Sequence, residues 1–277
     1  MANSVNTNFG ASIALQSLNK TNRQLDVVQK RVSTGFKVAD AKDDGAAFAV
    51  AQGLRGTVKA NEAVGERLSV AKGLLSVTQE GLKGISDTAG ELRKVMVKLA
   101  DANLSADERT KYGADYEALT ADITRYIGQS EFGGVNLISA TGSNAGANVN
   151  VIADAKGGSI TLTAHNMTTA LTTFGATAPA QAAAVTALGT GGAMEVFERA
   201  IGNALASVGA NSRTIENQDN FIKVASDSIE DGIGAIVDAD LAKESAKLQA
   251  LQIRQQLGTQ ALSIANQAPS ILLSLFQ

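Results

Sequence analysis

The sequence predicts a mainly α protein: an elongated antiparallel helical bundle, with a coiled coil and a small β-hairpin insertion. Three observations predict this class. Aliphatic residues recur at alternating spacings of three and four over long stretches, which is the coiled-coil condition. Hydrophobic residues make up 44% of the 277 residues but aromatic residues only 4%, which favours narrow helical seams over a thick core. Only two prolines are present, so little interrupts long helices.

Three helices are predicted in the N-terminal half. The first has its aliphatic stripe at residues 11–32, and the second, much longer helix has it at residues 47–99. Glycines of the second helix fall outside the stripe, and each costs about 1 kcal/mol relative to alanine in an isolated helix. This helix therefore depends on lateral packing. Ser105 and Glu108 form a capping box that starts the third helix.

Three acidic residues, Asp40, Asp43 and Asp44, precede the second helix. Carboxylates at that position favour the helix dipole and cap free amides. We therefore expect helix capping, with a salt bridge to Lys42 or Arg55, and not a cation site.

The middle of the chain, residues 139–193, is rich in small and polar residues. Alternating residues at 149–151 and 160–163 predict two strands, joined by a turn at residues 156–159. Residues 168–192 are predicted to form a weakly ordered surface loop.

The helical spacing returns at residues 194–236, and a last aliphatic stripe covers residues 248–275. Pro269 is expected to interrupt this last stripe. Termini are usually polar and frayed, yet both ends of this chain are apolar. The two ends are therefore the most informative part of the sequence.

Composition excludes several classes of function. The absence of cysteine excludes disulfides, thiolate metal sites and cysteine nucleophiles. A single histidine, His165, excludes a metal site with two histidines. The net charge of −3 is too mild and mixed for nucleic-acid binding. We expect no enzymatic activity, no cofactor, no metal, no membrane span and no cleaved N-terminal signal.

Short motifs follow one another in a specific order at both ends. They are Ser4-Val5-Asn6-Thr7-Asn8, Gln29-Lys30-Arg31-Val32-Ser33-Thr34-Gly35, Ala41-Lys42-Asp43-Asp44-Gly45-Ala46-Ala47, Gln255-Gln256-Leu257-Gly258-Thr259-Gln260-Ala261-Leu262 and Ala265-Asn266-Gln267-Ala268-Pro269. With these motifs the chain resembles bacterial flagellin, particularly the short alphaproteobacterial type, over residues 1–138 and 194–277.

The resemblance implies a structural subunit of the flagellar filament, outside the cell, that polymerises as a helical homo-oligomer. It implies a terminal coiled-coil domain (1–34 plus 240–277), a helical rod domain (35–138 plus 194–239) and a variable exposed segment (139–193). It also implies type III export and, as partners, an export chaperone, a filament cap and hook-junction proteins.

Two sets of site residues are predicted. The aliphatic residues of the terminal stripes are expected to form the assembly seam: Leu18, Leu25, Val28, Val32, Leu248, Leu251, Ile253, Leu257, Ile264, Ile271 and Leu275. By the resemblance, exposed hydroxyls of the middle segment are candidate O-glycosylation sites: Thr168, Thr169, Thr172 and Thr173.

Three alternative functions are left open. A hook–filament junction protein shares both terminal patterns. Some flagellins carry a protease domain in the middle, although residues 139–193 are short for one and lack a His–Glu metal motif. An intracellular coiled-coil adaptor has similar helical spacing.

Overall fold

A computed structural model of the chain describes residues 8–141, 144 and 146–274, with side chains up to Gln267. In this part of the chain the fold is mainly α-helical with one two-stranded sheet, which confirms the predicted class. The elements are α1 (Phe9–Thr34), α2 (Gly45–Leu99), α3 (Ala106–Gln129), β1 (Val149–Ile152), β2 (Ser159–Leu162), α4 (Met167–Phe174), α5 (Gln181–Leu188), α6 (Ala193–Val237) and α7 (Leu241–Ser274).

The chain forms two compact units. The first comprises Met1–Val58 with Asp227–Gln277, and the second comprises Lys59–Ser226. These boundaries follow packing within the chain. The division into three domains stays a prediction.

The second unit is built on an antiparallel pair of long helix segments from α2 and α6. The Asn61 amide lies 3.1 Å from the Ser226 hydroxyl, and Lys72 pairs with Asp219 at 2.8 Å. Leu68, Leu75, Leu82, Leu92 and Met96 of α2, and Phe197, Val208 and Ile215 of α6, are almost completely buried between the elements. Aliphatic spacing therefore predicted this core correctly.

Helix α3 begins with the predicted capping box. The Ser105 side chain accepts a hydrogen bond from the Glu108 amide, and the Glu108 carboxylate accepts one from the Ser105 amide. Hydrogen bonds that the Ser105 hydroxyl and the Ser105 amide donate to the Glu108 carboxylate lower the pKa of Glu108 below its ordinary value.

Glycines of α2 create room for the end of α3 and the residues after it. A methyl group at Gly81 would overlap the Ser130 hydroxyl, and one at Gly84 would lie 3.2 Å from the Tyr126 ring. The glycines outside the aliphatic stripe are thus of two kinds. Gly81 and Gly84 make room for neighbouring residues, whereas Gly53, Gly56 and Gly90 face open space.

The predicted hairpin is present, with Val149 opposite Leu162 in an antiparallel pair. The surface loop predicted at residues 168–192 is wrong, because α4 and α5 lie there. Met167 and Leu171 are buried, and the Phe174 ring stacks between Tyr116 and Phe197 at 6.0 and 5.3 Å. An apolar stripe at spacings of four and three therefore anchors α4 to the core.

In the first unit, the acidic turn before α2 confirms one expectation and corrects another. The Asp44 carboxylate accepts hydrogen bonds from the Ala46 and Ala47 amides, as expected of a helix cap. Asp40 and Asp43, however, pair with Lys30 at 2.7 and 2.9 Å. The salt bridge to Lys42 or Arg55 is therefore wrong, and the turn is tied to α1 instead.

Candidate assembly surface on the terminal helices

The terminal helices α1 and α7 pack against each other in the first unit. Leu18 lies beside Gly258, and the Gln255 amide donates to the Asn22 side chain at 2.9 Å. Farther along α1, Arg31 lies 3.7 Å from Glu244. Because the residue numbers rise on α1 as they fall on α7, the two helices are antiparallel.

The structure divides the predicted seam residues into two groups. The first group faces the α1–α7 interface, where Val28 and Leu251 are buried and the others are half-buried. Its members are Leu18, Leu25, Val28, Val32, Leu248 and Leu251. Their contacts are made within one chain.

The second group lies on another side of α7 and is exposed to solvent. Ile253 is 58% exposed, Leu257 64% and Ile264 63%. Leu251 and Ile253 are only two residues apart, so a helix places them on different faces. We call Ile253, Leu257 and Ile264 the outer row.

Sequence reasoning missed the two most exposed large hydrophobic residues of helix α1. Phe9 is 78% exposed and Ile13 is 64% exposed. Their spacing of four places them together on one face of α1. They fall outside the predicted seam because they do not follow its heptad register.

Two predicted seam residues lie at the C-terminus. The backbone of Ile271 lies within α7, but side chains are described only up to Gln267. Leu275 lies outside them entirely. Their part in the seam stays a prediction.

The predicted interruption at Pro269 is wrong, because α7 continues to Ser274. Proline has no amide hydrogen, so the carbonyl four residues earlier, that of Ala265, loses its usual helical donor. The Asn8 side-chain amide donates to this carbonyl at 2.6 Å. The Asn8 side-chain oxygen accepts a hydrogen bond from the Ala11 amide at 3.0 Å and caps α1. One side chain thus completes the hydrogen bonding of both terminal helices.

A cationic cleft of about 620 Å³ lies between α1 and α7. Its charged lining is entirely basic: Lys20, Arg23, Arg31, Lys247 and Arg254. Val27, Val28, Ala250 and Leu251 supply apolar lining. A cleft of this composition attracts carboxylates or other anions.

Glu244 partly neutralises one end of this cleft. Its carboxylate lies 2.6 Å from Lys247 and 3.7 Å from Arg31, and the residue is only 6% exposed. Among the described residues, Lys20, Arg23 and Arg254 have no acidic partner. Most of the positive charge therefore remains available.

The candidate glycosylation residues lie on α4. Thr169, Thr172 and Thr173 are exposed, whereas Thr168 is half-buried and its hydroxyl accepts from the Ala140 amide at 3.3 Å. The Thr172 and Thr173 hydroxyls donate to backbone carbonyls one turn earlier. O-glycosylation at these four positions stays a prediction.

Two kinds of feature are absent from the described residues. No described helix is long and apolar enough to cross a membrane. Nor do the described His, Asp and Glu side chains form a group of three that could hold a metal ion.

Comparison with known proteins gives consistent matches across the chain. Residues 5–143 match the bacterial flagellin N-terminal helical region, and residues 194–276 match the C-terminal helical region. Flagellin FljM of Caulobacter vibrioides is 38% identical, and the match covers 99% of both chains. The flagellin of Brucella melitensis is 31% identical, again over 99% of both.

A solved structure has a similar fold. The crystal structure of Bacillus cereus flagellin matches with a TM-score of 0.50 and 21% identity. The match covers 55% of this chain and 86% of that one. The sequence matches and the helical pairing of the two ends agree, and nothing in them favours a hook–filament junction protein. The chain belongs to the bacterial flagellin family, and its function is that of a structural subunit of the flagellar filament.

Proposed function

We propose that this subunit polymerises through the solvent-facing side of its terminal helix pair. The outer row of α7, with Phe9 and Ile13 of α1, is the surface that other copies cover. The main support is that Ile253, Leu257 and Ile264 are exposed on α7, while the other face of this helix packs against α1. Exposed aliphatic rows of this kind are typical of interaction surfaces.

Burial of this row favours assembly. Each square ångström of apolar surface removed from water contributes about 25 cal/mol. Association also costs about 4–15 kcal/mol in lost translational and rotational freedom. A single weak contact does not offset that cost, so stable assembly requires contacts with several neighbours. When such contacts join different surfaces and do not close a ring, they generate a helical filament.

The finer features of the function are also proposals. We infer a structural role without catalysis, and partners that include an export chaperone, a filament cap and hook-junction proteins. These partners come from family membership. O-glycosylation of exposed threonines on α4 is proposed on their accessibility.

The test is polymerisation of purified protein followed by sedimentation. Leu257→Asp places a charge in the outer row, and burying that charge without a partner is costly. We expect its critical concentration to rise more than about tenfold, which corresponds to about 1.4 kcal/mol per subunit added.

Thr259→Asp is the matched control, because Thr259 is exposed on the polar side of the same helix. It should polymerise nearly as well as the unmodified chain. Normal polymer yield from Leu257→Asp would contradict the proposed surface.

A further inference from the structure

Charge is unevenly distributed along this chain. Helices α1 and α7 together carry seven Lys or Arg residues and two Asp or Glu residues, whereas the whole chain has a net charge of −3. The remainder of the chain is therefore distinctly acidic. Part of that acidity is concentrated in residues 227–240, which contain five acidic residues and no basic one.

The acidic residues at the end of α6 share one face. Asp227, Glu230 and Asp231 are spaced by three and four residues, and all three are exposed. No described Lys or Arg lies within ion-pair distance of them. Like charges at this spacing repel one another along a helix. We call these three residues the acidic face.

The cationic cleft has the complementary composition. Lys20, Arg23 and Arg254 line it without an acidic partner among the described residues. Their close approach is unfavourable for the same reason. An acidic segment seated in the cleft would relieve repulsion on both surfaces, and the apolar lining formed by Val27 and Leu251 would contact its aliphatic stems.

We propose that the cationic cleft between α1 and α7 of one subunit binds the acidic face of a second copy of this chain. The inference rests on the proposed function and adds a polar contact to the apolar one. Because the cleft and the acidic face are different surfaces, their contact is heterologous and continues from copy to copy without closing. Such a contact also steers encounter and fixes register.

Charge reversal tests this pairing. The cleft variant carries Arg23→Glu and Arg254→Glu, and the face variant carries Glu230→Lys and Asp231→Lys. Alone, the cleft variant retains little net positive charge in the cleft, and the face variant presents two lysines to a basic cleft. We therefore expect the critical concentration of each to rise more than about tenfold. When the two variants are mixed in equal amounts and alternate in the polymer, the acidic face of the cleft variant meets an unmodified cleft, and the introduced lysines meet the introduced glutamates. The mixture should therefore recover most of the unmodified polymer yield.

A control variant, Lys59→Glu with Lys83→Glu, reverses two exposed and unpaired α2 charges outside the cleft. It should polymerise alone nearly as well as the unmodified chain. Far-UV circular dichroism must show that every variant keeps the helix content of the unmodified chain. The milder Arg23→Gln with Arg254→Gln should lose less polymer yield than the cleft variant. Salt screens charges, so raising the salt concentration should weaken polymerisation of the unmodified chain more than that of the Arg23→Gln, Arg254→Gln variant.

The outcomes separate two failures. If the unmodified chain polymerises but the mixture polymerises no better than either variant alone, the pairing of cleft and acidic face is wrong. Cleft variants that polymerise normally alone would also overturn it. If the unmodified chain itself does not polymerise, the proposed function fails first.

Discussion

At the scale of single residues, Asn8 has the most specific role in the terminal helix pair. Its side-chain oxygen caps α1, and its amide donates to the Ala265 carbonyl that Pro269 leaves without a helical donor. The hydrogen bond from Asn8 to Ala265 joins two residues that are 257 positions apart in the sequence. Aliphatic periodicity carries no information about such a bond, so sequence reasoning predicted an interruption at Pro269 instead.

Asn8→Asp separates the two functions of this side chain. The carboxylate still caps α1, but it cannot donate to Ala265. We expect hydrogen exchange to accelerate in the last turns of α7, while the start of α1 remains protected.

Pro269→Ala provides the matched background, because alanine restores the amide that donates to Ala265. In that background, Asn8→Asp should leave exchange in α7 nearly unchanged. Equal acceleration in both backgrounds would show that Asn8 does not compensate for the proline.

At the scale of elements, aliphatic spacing fixed the long helices because each buries one continuous stripe. It failed for α4 and α5, each of eight residues, since so short a stripe gives little periodic signal. Aliphatic spacing also did not distinguish the two faces of α7, because it assigns one continuous stripe to Leu248, Leu251, Ile253 and Leu257. Only the partner helix distinguishes the packed face from the outer row.

The α2–α6 pairing in the second unit depends partly on one buried carboxylate. Asp219 is 3% exposed and pairs with Lys72 at 2.8 Å and Lys223 at 2.9 Å. Hydrogen bonds from these lysines, that of Lys72 foremost, lower the pKa of Asp219 below its ordinary value of 3.8.

Asp219→Asn should therefore destabilise the second unit at neutral pH by about 1–3 kcal/mol. A lowered folded pKa stabilises the fold fully above the ordinary value, and this contribution is lost as pH falls from 3.8 towards the folded pKa. The difference between variant and unmodified chain should thus shrink in acid. Denaturant unfolding followed by circular dichroism measures it.

Asp115→Asn is the control, since Asp115 is exposed on α3 and has no cation partner among the described residues. It should change stability by less than about 0.5 kcal/mol. A difference at Asp219 that stays constant through the acid range would show that its ion pairs contribute nothing.

At the scale of the whole molecule, the two termini combine an internal and an external function. One side of α1 and α7 holds the chain's own ends together, and the outer row, the cationic cleft and the acidic face remain for other copies. Family and function were predictable from the sequence, because terminal motifs such as 29–35 and 255–262 occur in the expected order. Which face of α1 and α7 packs within the chain and which stays exposed could not be predicted, because it depends on which residues of the two helices face each other.

The central claim is that other copies cover the outer row, and the absence of cysteine allows a direct measurement. A single Leu257→Cys thiol should react rapidly with a maleimide in the monomer and more than about tenfold more slowly in the polymer, since burial restricts access. Thr173→Cys on exposed α4 should react rapidly in both states, and Leu82→Cys, completely buried in the core of the second unit, slowly in both. Equal reactivity of Leu257→Cys in monomer and polymer would contradict the account.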